Sequence, residues 1–160
     1  MAVAGIIAAA FGVILLIIVS YLVVGATISA AETVTTAQKD VTLQNEMRLG
    51  TAFVITDPTN NSSVITSNIS NTGTEIIGDF NHMDILVFDS GSNDYQVCTY
   101  NAAGIGIPGS WDIRNRYQDF IHPFELDPGE QYQIRVVTLG SSPAWFQITT
   151  SNGVYASAYV

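Results

Sequence analysis

The clearest pattern along the chain is an apolar run in residues 1–31, which precedes the first charged side chain, Glu32. Four polar side chains interrupt this run, those of Ser20, Tyr21, Thr27 and Ser29. At a helical rise of about 1.5 Å per residue, its most apolar part, residues 6–28, would be roughly 34 Å long, enough to cross the ~30 Å hydrocarbon layer of a bilayer. The pattern predicts a helix that either stays in lipid or packs as a hydrophobic rod against copies of itself.

A helical pattern continues beyond the apolar run. Residues 30–49 contain neither Pro nor Gly, and apolar side chains recur among the charged ones at three- and four-residue intervals. Gly50 fits the stop signal of such a helix. We therefore predict a helical membrane or filament-core segment over residues 1–50 and a separate extracellular domain over residues 51–160.

Small residues mark candidate helix-packing positions within the apolar run. Gly and Ala allow the backbones of membrane helices to approach closely. The positions that we single out are Ala4, Gly5, Ala8, Ala9, Gly12 and Gly25. Two interpretations stay open at this point, a bundle in which these positions pack together and a single-pass anchor with an ordinary stalk.

After Gly50 the pattern changes from helical to alternating. Seven short runs are rich in Val, Ile, Thr and aromatic residues, and Gly, Pro and Asn turn signals such as Asp57-Pro58 separate them. The runs are residues 51–56, 63–70, 83–88, 94–100, 131–139, 144–150 and 154–160. This spacing predicts an α+β protein, a long N-terminal hydrophobic α-helix followed by an immunoglobulin-like antiparallel β-sandwich.

Two parts of this domain carry more specific expectations. In residues 131–139 the alternation places Tyr132, Ile134 and Val136 on one face, which is the pattern of a strand with one buried side. Residues 101–124 show the weakest pattern and contain Gly, Pro and clustered charges. We predict that this stretch is a long surface insertion.

The charge of the chain excludes one class of binding partner. The formal net charge is -9, and residues 51–160 contain eleven acidic and three basic side chains, which gives that domain a charge of -8. Such a surface repels nucleic acid and anionic lipid headgroups. We therefore expect no nucleic-acid partner.

Three glycosylation sequons conflict with the orientation that the flanking charges predict. The sequons are at Asn60, Asn61 and Asn68, and they suit an outward-facing surface. The basic residues that follow the apolar run, Lys39 and Arg48, would instead place the domain in the cytoplasm. The conflict disappears if a short basic leader has been removed, so we expect the mature chain to begin near Met1.

The residue types that carry catalysis are few. Cys98 is single and fits a small buried strand residue, while His82 and His122 lie forty residues apart without a second ligand at metal-binding spacing. The segment Asp89–Asp94 has enough oxygens for a calcium site but lacks the length and terminal Glu of an EF-hand loop, so a hairpin turn is favoured. We expect no enzyme activity, no cofactor and no metal site.

The aromatic side chains of the domain offer one alternative, a sugar-binding surface. The candidates are Trp111, Tyr117, Phe120, Trp145 and Phe146. A small sandwich needs bulky residues for its own core. We therefore predict that these five side chains belong to the core.

Several short motifs complete the picture: Ser70-Asn71-Thr72-Gly73, the run from His82 to Phe88, the turn from Leu126 to Glu130, Val136-Val137-Thr138 and Ser151-Asn152-Gly153-Val154. Together with the apolar helix and the β-sandwich, they resemble the archaellin (archaeal flagellin) and archaeal type IV pilin-like superfamily, including the archaellum accessory proteins F and G, across the whole chain. Gly5 stands where bacterial pilins carry an acidic residue, which disfavours a bacterial pilin.

The resemblance implies a structural subunit of an extracellular archaeal filament used in motility, inserted in the cell membrane before assembly. Its helices would form the core of a helical homopolymer and its β-domains the outer sheath. A separate assembly ATPase and a membrane platform are implied partners. The alternatives are a membrane-anchored archaellum accessory protein that binds the surface layer or the filament, and an adhesive type IV pilus subunit.

Overall fold

The computed structural model describes residues 2–160, with side chains from Val3 onward; Met1, where we expect the mature chain to begin, lies outside the described residues. The chain forms two compact units, one up to Gln44 and one from Asn45 to Val160. The helix α1 spans Ala2–Gly50. The predicted helix and its end at Gly50 are therefore confirmed, and the last turn of α1 belongs to the second unit.

Gly50 ends α1 by close packing. Its carbonyl oxygen accepts hydrogen bonds from the backbone N–H groups of Thr74 at 2.8 Å and Glu75 at 3.2 Å, which satisfies a carbonyl that has no partner within the helix. A Cβ at Gly50 would lie 2.7 Å from the Cγ of Glu75, so a larger residue does not fit there.

Eight strands follow, one more than the sequence predicts. They are β1 (Phe53–Asn61), β2 (Val64–Asn71), β3 (Asp84–Asp89), β4 (Asp94–Tyr100), β5 (Ser110–Tyr117), β6 (Gln131–Val137), β7 (Pro143–Thr149) and β8 (Tyr155–Tyr159), with a short 3-10 helix, Phe80–His82, before β3. The strand order is β1-β2-β6-β5-β4-β3-β7-β8. All neighbouring pairs are antiparallel except β4 and β5, which pair in parallel over two residues each.

The short parallel pair divides the sheet into two halves that enclose one core. Alternate residues of β2 and β6 point inward, as Ile65, Ile69 and Ile134 do, and they meet the inward residues of β3 and β7. Tyr132, Ile134 and Val136 are fully buried, which confirms the face predicted for that strand. The predicted fold class, α+β with an immunoglobulin-like sandwich, is confirmed as well.

The predicted surface insertion at residues 101–124 is wrong, because it contains β5, a central strand that pairs with both β4 and β6. Trp111 on β5 is 1% exposed, and its ring centroid lies 4.7 Å from that of Tyr100. β5 is irregular, with a register shift between Ile113 and Asn115. A strand that breaks its own alternation leaves no period of two in the sequence.

One charged residue of this stretch, Asp112, pairs inside the domain. Asp112 is buried, and its carboxylate forms an ion pair with Arg135 of β6, whose Nε donates at 3.1 Å. Arg135 also donates from Nη2 to the carbonyl oxygen of Gly104 at 3.0 Å, which holds the loop before β5. Burial of a carboxylate is tolerated because the guanidinium supplies both charge and hydrogen bonds.

The turn predicted at Asp57-Pro58 is also wrong. β1 continues through both residues, and a register shift between Thr56 and Thr59 accommodates them. Asp57 has a φ of 50° in this bulge. Pro lacks an N–H group, and an edge strand such as β1 tolerates that loss at a bulge.

We predict that Trp111→Ala lowers the free energy of unfolding of residues 45–160 by about 3–5 kcal/mol, because it removes a buried aromatic side chain from the centre of the core. The matched change Tyr117→Ala, at the exposed end of the same strand, should cost under about 1 kcal/mol. Urea unfolding monitored by circular dichroism measures both values. If both changes lowered the free energy of unfolding by the same small amount, Trp111 would not be a core residue and residues 101–124 would be a surface insertion.

Candidate membrane anchor and outer β face

The apolar half of α1 is exposed along its whole length. Over Val3–Gly50 the helix is long enough and apolar enough to cross a membrane, by length and composition, and none of its most apolar stretch is buried. The exposed side chains include fifteen Val, Ile, Leu and Phe residues between Val3 and Ile28. A surface of this kind is stable in lipid or against other apolar helices, and not in water.

Several Thr hydroxyls of α1 have hydrogen-bond partners within the helix. The hydroxyl of Thr27 donates to the carbonyl oxygens of Val23 at 2.6 Å and Val24 at 3.0 Å. Further along, Thr33 and Thr35 donate in the same way to carbonyls four residues earlier. Hydroxyls that are satisfied within their own helix carry a smaller cost in hydrocarbon.

The predicted helix-packing positions fall on two sides of α1. Spacings of three, four and seven residues link the members of one group, which places them on one face of a helix with 3.6 residues per turn. The group consists of Ala4, Gly5, Ala8, Ala9 and Gly12. Gly25 lies on a different side. A Cβ at Gly5, Gly12 or Gly25 would meet nothing within 4 Å in a single chain, so these glycines are free to receive a neighbouring helix.

A row of four aromatic side chains crosses the outer side of the β domain, and the sequence did not predict it. Cross-strand register joins Tyr95 to Phe88, Phe88 to Trp145, and Trp145 to Tyr159, so the row crosses β4, β3, β7 and β8. A second row beside it joins Val97, Leu86, Gln147 and Ser157 in the same order. We call these eight residues the outer β face, because the alternate residues on the same strands form the core.

The two ends of the aromatic row are open to solvent. Tyr95 is 61% exposed and Tyr159 is 80% exposed, whereas Phe88 and Trp145 between them are half-buried. The alternation in the runs 83–88 and 94–100 already separates Leu86, Phe88, Tyr95 and Val97 from the buried positions. It does not show which strands are neighbours, and the row exists only through that neighbourhood.

The prediction that five particular aromatic side chains form the core is partly wrong. Trp111 and Phe146 are buried in it, but Trp145 lies on the outer β face, and Tyr117 and Phe120 are exposed, the latter by 82%. Phe120 belongs to the loop after β5, where the chain leaves the sheet. A loop residue has no inward side, so its size alone does not predict burial.

The three sequons lie on the hairpin of β1 and β2. Asn61 is exposed at the last position of β1. The side-chain nitrogens of the other two are occupied: Asn60 donates to the carbonyl oxygen of Pro143 at 3.0 Å, and Asn68 donates to Asp57 at 3.2 Å. Asn61 is therefore the most accessible of the three amides.

Cys98 and Asp89, two titratable side chains that the sequence singles out, each have a role within the fold. Cys98 is buried in the core, and burial raises the pKa of its thiol to about 11. Asp89 accepts hydrogen bonds from the backbone N–H groups of Gly91 at 3.0 Å and Ser92 at 2.9 Å, which forms the predicted hairpin turn. These bonds, above all that from Ser92, lower the pKa of Asp89. Within residues 3–160, no three His, Cys, Asp or Glu side chains converge as metal ligands.

A hydrogen-bonded pair, His122 and Asp127, stabilises the loop between β5 and β6. The Nδ1 atom of His122 lies 2.8 Å from the Asp127 carboxylate, and the His122 backbone N–H donates to the same group at 3.0 Å. The hydrogen bond between the side chains raises the pKa of His122 and lowers that of Asp127. Glu130 accepts from the Asp127 backbone N–H at 3.1 Å and completes the turn.

Comparisons with known proteins identify the fold. No protein-family model and no curated protein sequence matches the chain. Among solved structures it is similar to the archaellum periplasmic stator protein FlaG from Sulfolobus acidocaldarius, with 20% identity and a TM-score of 0.50 over 69% of this chain and 99% of that chain. It is also similar to the FlaF and FlaG stator complex from the same organism, with 22% identity and a TM-score of 0.48 over 68% of this chain and 87% of that chain.

At these identities the likeness to FlaG shows a shared fold. The resemblance found in the sequence is therefore confirmed for its archaellum accessory members at the level of fold. Neither of the two structures is an archaellin, so membership among the filament proteins stays a prediction.

We predict that Asn61→Gln lowers the apparent mass of the chain produced in its native host and leaves the free energy of unfolding within about 0.5 kcal/mol. Asn68→Gln should cost about 0.5–1.5 kcal/mol more, because it disturbs the hydrogen bond to Asp57. Intact-mass spectrometry and urea unfolding give the two quantities. An unchanged mass after all three sequon asparagines are replaced would show that the sequons are unused.

We predict that the pair of His122 and Asp127 stabilises the domain most between about pH 4 and pH 6.5. The raised pKa of His122 gives a contribution that is complete below its ordinary pKa and is lost as the pH rises through the raised value. The lowered pKa of Asp127 gives a contribution that is present above its ordinary pKa and is lost as the pH falls through the lowered value.

Urea unfolding of residues 45–160 across this pH range tests the pair. The stability difference between the original chain and His122→Gln should be largest inside that window and smaller on both sides, and Asp127→Asn should show the same window. A difference that stays constant with pH would contradict the assignment.

Proposed function

We propose that this chain is a membrane-anchored archaellum accessory protein, with α1 held in the cell membrane and the β domain displayed at the cell surface. The observation that carries the proposal is the fully exposed apolar half of α1 on a chain whose β domain has the fold of the FlaG stator protein. The role is structural and not enzymatic. Cys98 and His122, the side chains best suited to chemistry, both have structural environments.

The energy of the helix surface keeps the apolar half of α1 out of water, which is consistent with anchoring. Each Val, Leu, Ile or Phe side chain gains about 1.5–3 kcal/mol when it leaves water. Fifteen such residues between Val3 and Ile28 therefore give a total of tens of kcal/mol, which exceeds the ~5–15 kcal/mol that holds a typical domain folded. The helix leaves lipid only if other helices replace every lipid contact.

The second candidate is the filament subunit that the sequence analysis favours. The specific observation in its favour is the face formed by Ala4, Gly5, Ala8, Ala9 and Gly12, because small residues let helices exchange lipid contacts for helix contacts. Self-association into a homopolymer, a separate assembly ATPase and a membrane platform belong to this candidate. Binding to the surface layer belongs to the accessory role.

The experiment that separates the two is quantitative mass spectrometry of sheared filaments and of washed membranes from the native host. For an accessory protein we predict that the chain stays in the membrane fraction at low copy number and that filaments still form when its gene is deleted, with motility lost. If the chain is the main component of the sheared filaments, the accessory role is wrong.

A pair of variants provides the matched control. Gly12→Leu adds a large side chain to the small-residue face, and Val13→Leu makes a similar chemical change beside it. Both should leave the membrane-bound amount unchanged for an anchor. A selective loss of filaments with Gly12→Leu would favour the filament subunit.

A further inference from the structure

The aromatic row of the outer β face exceeds what the fold requires. The inward residues of the same strands, Val87 and Phe146 among them, already fill the core and are fully buried. Phe88, Trp145 and Tyr159 point the other way, where an ordinary sandwich strand carries polar side chains. Large aromatic residues on the solvated side of a sheet therefore call for a binding partner.

The row places four aromatic side chains in register across four neighbouring strands. Neighbouring strands lie about 4.8 Å apart, so four residues in register extend over about 14 Å. The ring centroids of Phe88 and Tyr95 are 4.9 Å apart with their planes inclined by 44°, which shows that these two rings are in contact. A ligand laid across the strands would meet one ring after another.

The second row supplies hydrogen-bonding groups beside the rings. Gln147 lies two positions after Trp145 on β7, and Ser157 lies two positions before Tyr159 on β8, so the two face each other in the second row. The Gln147 side-chain nitrogen donates to the Thr149 hydroxyl at 3.3 Å, and its side-chain oxygen is a further hydrogen-bond acceptor. The hydroxyls of Tyr95 and Tyr159 add a donor and an acceptor each.

Charge excludes several partners for this face. None of its eight residues is charged, while residues 51–160 carry a net charge of -8. Nucleic acid and anionic lipid would be repelled by the domain and would find no Lys or Arg on the face. A neutral partner encounters no such penalty.

The area of the outer β face by itself is below that of a stable dimer interface. Four strands about 4.8 Å apart and about five residues long, with a rise of about 3.3 Å each, give a face of about 300 Å². A standard protein interface buries about 800 Å² on each partner. The face is large enough for a short ligand of a few rings and too small for a second copy of the domain.

We propose that the outer β face binds a neutral glycan. The C–H groups on the flat side of a sugar ring carry partial positive charge, and they pack on the negative face of an aromatic ring. The sugar hydroxyls would reach Gln147, Ser157 and the tyrosine hydroxyls. The proposal deepens the accessory role and rests on it in one respect, that the displayed domain meets carbohydrate of the cell envelope.

The test uses the full chain in lipid nanodiscs of neutral phosphatidylcholine, applied to an array of immobilised neutral and acidic glycans. We expect binding to neutral glycans and none to acidic ones. Trp145 is the tryptophan on this face and Trp111 is buried, so soluble neutral oligosaccharides should also shift the tryptophan emission of the original chain and not that of Trp145→Phe.

The deciding variant is Tyr95→Ala with Tyr159→Ala, which removes the exposed ends of the row. It should weaken glycan binding at least tenfold while circular dichroism stays unchanged. The matched control is Tyr117→Ala, which removes an exposed tyrosine from β5 on the other half of the sandwich, and it should bind as the original chain does.

Three results would overturn the proposal: no binding to any neutral glycan, binding that survives loss of both tyrosines, or a concentration-dependent dimer that the double variant abolishes. The last result would identify a second copy as the partner. Membrane retention and filament counts measure the accessory role separately, so either idea can fail while the other stands.

Discussion

The apolar surface of α1 is the constraint on which the rest of the protein depends. Between Val3 and Ile28 the helix exposes large aliphatic side chains on every side, and water is the one environment that this surface does not tolerate. Such a surface is stable in lipid or in a bundle of like helices. Every functional interpretation of the β domain starts from a domain tethered in this way.

The β domain holds the end of this helix through backbone hydrogen bonds and one buried amide. Asn71 is buried, and its side chain donates to the carbonyl oxygens of Glu75 at 2.7 Å and Leu126 at 2.9 Å. It also accepts from the backbone N–H of Gly73 at 2.9 Å. The segment fixed by Asn71 supplies the N–H groups that satisfy the carbonyl of Gly50, so the last turn of α1 is part of the domain. This link explains why the Ser70–Gly73 motif stands at the junction.

Sequence patterns predicted the elements whose burial repeats regularly. The sequence predicted the helix, its end at Gly50 and the buried face of Tyr132, Ile134 and Val136, because each depends on a periodic environment. β5 could not be predicted from the sequence, since its bulge and its charged residues interrupt the alternation. The partner that permits burial of Asp112, Arg135, comes from another strand. The bulge at Asp57-Pro58 was missed for a related reason, because an edge strand tolerates a Pro that a central strand would not.

The sequence by itself determined that this protein has one apolar helix, one acidic β-sandwich and three sequons on its first hairpin. Length, hydropathy and charge are sums over neighbouring residues, and they need no knowledge of the fold. Only the tertiary structure decided that Tyr95, Phe88, Trp145 and Tyr159 form one row. These residues are separated by up to 71 positions in the chain, from Phe88 to Tyr159, and they meet because strand order and register place them side by side. Such long-range pairing depends on which edges of the sheet meet, and no local pattern encodes it.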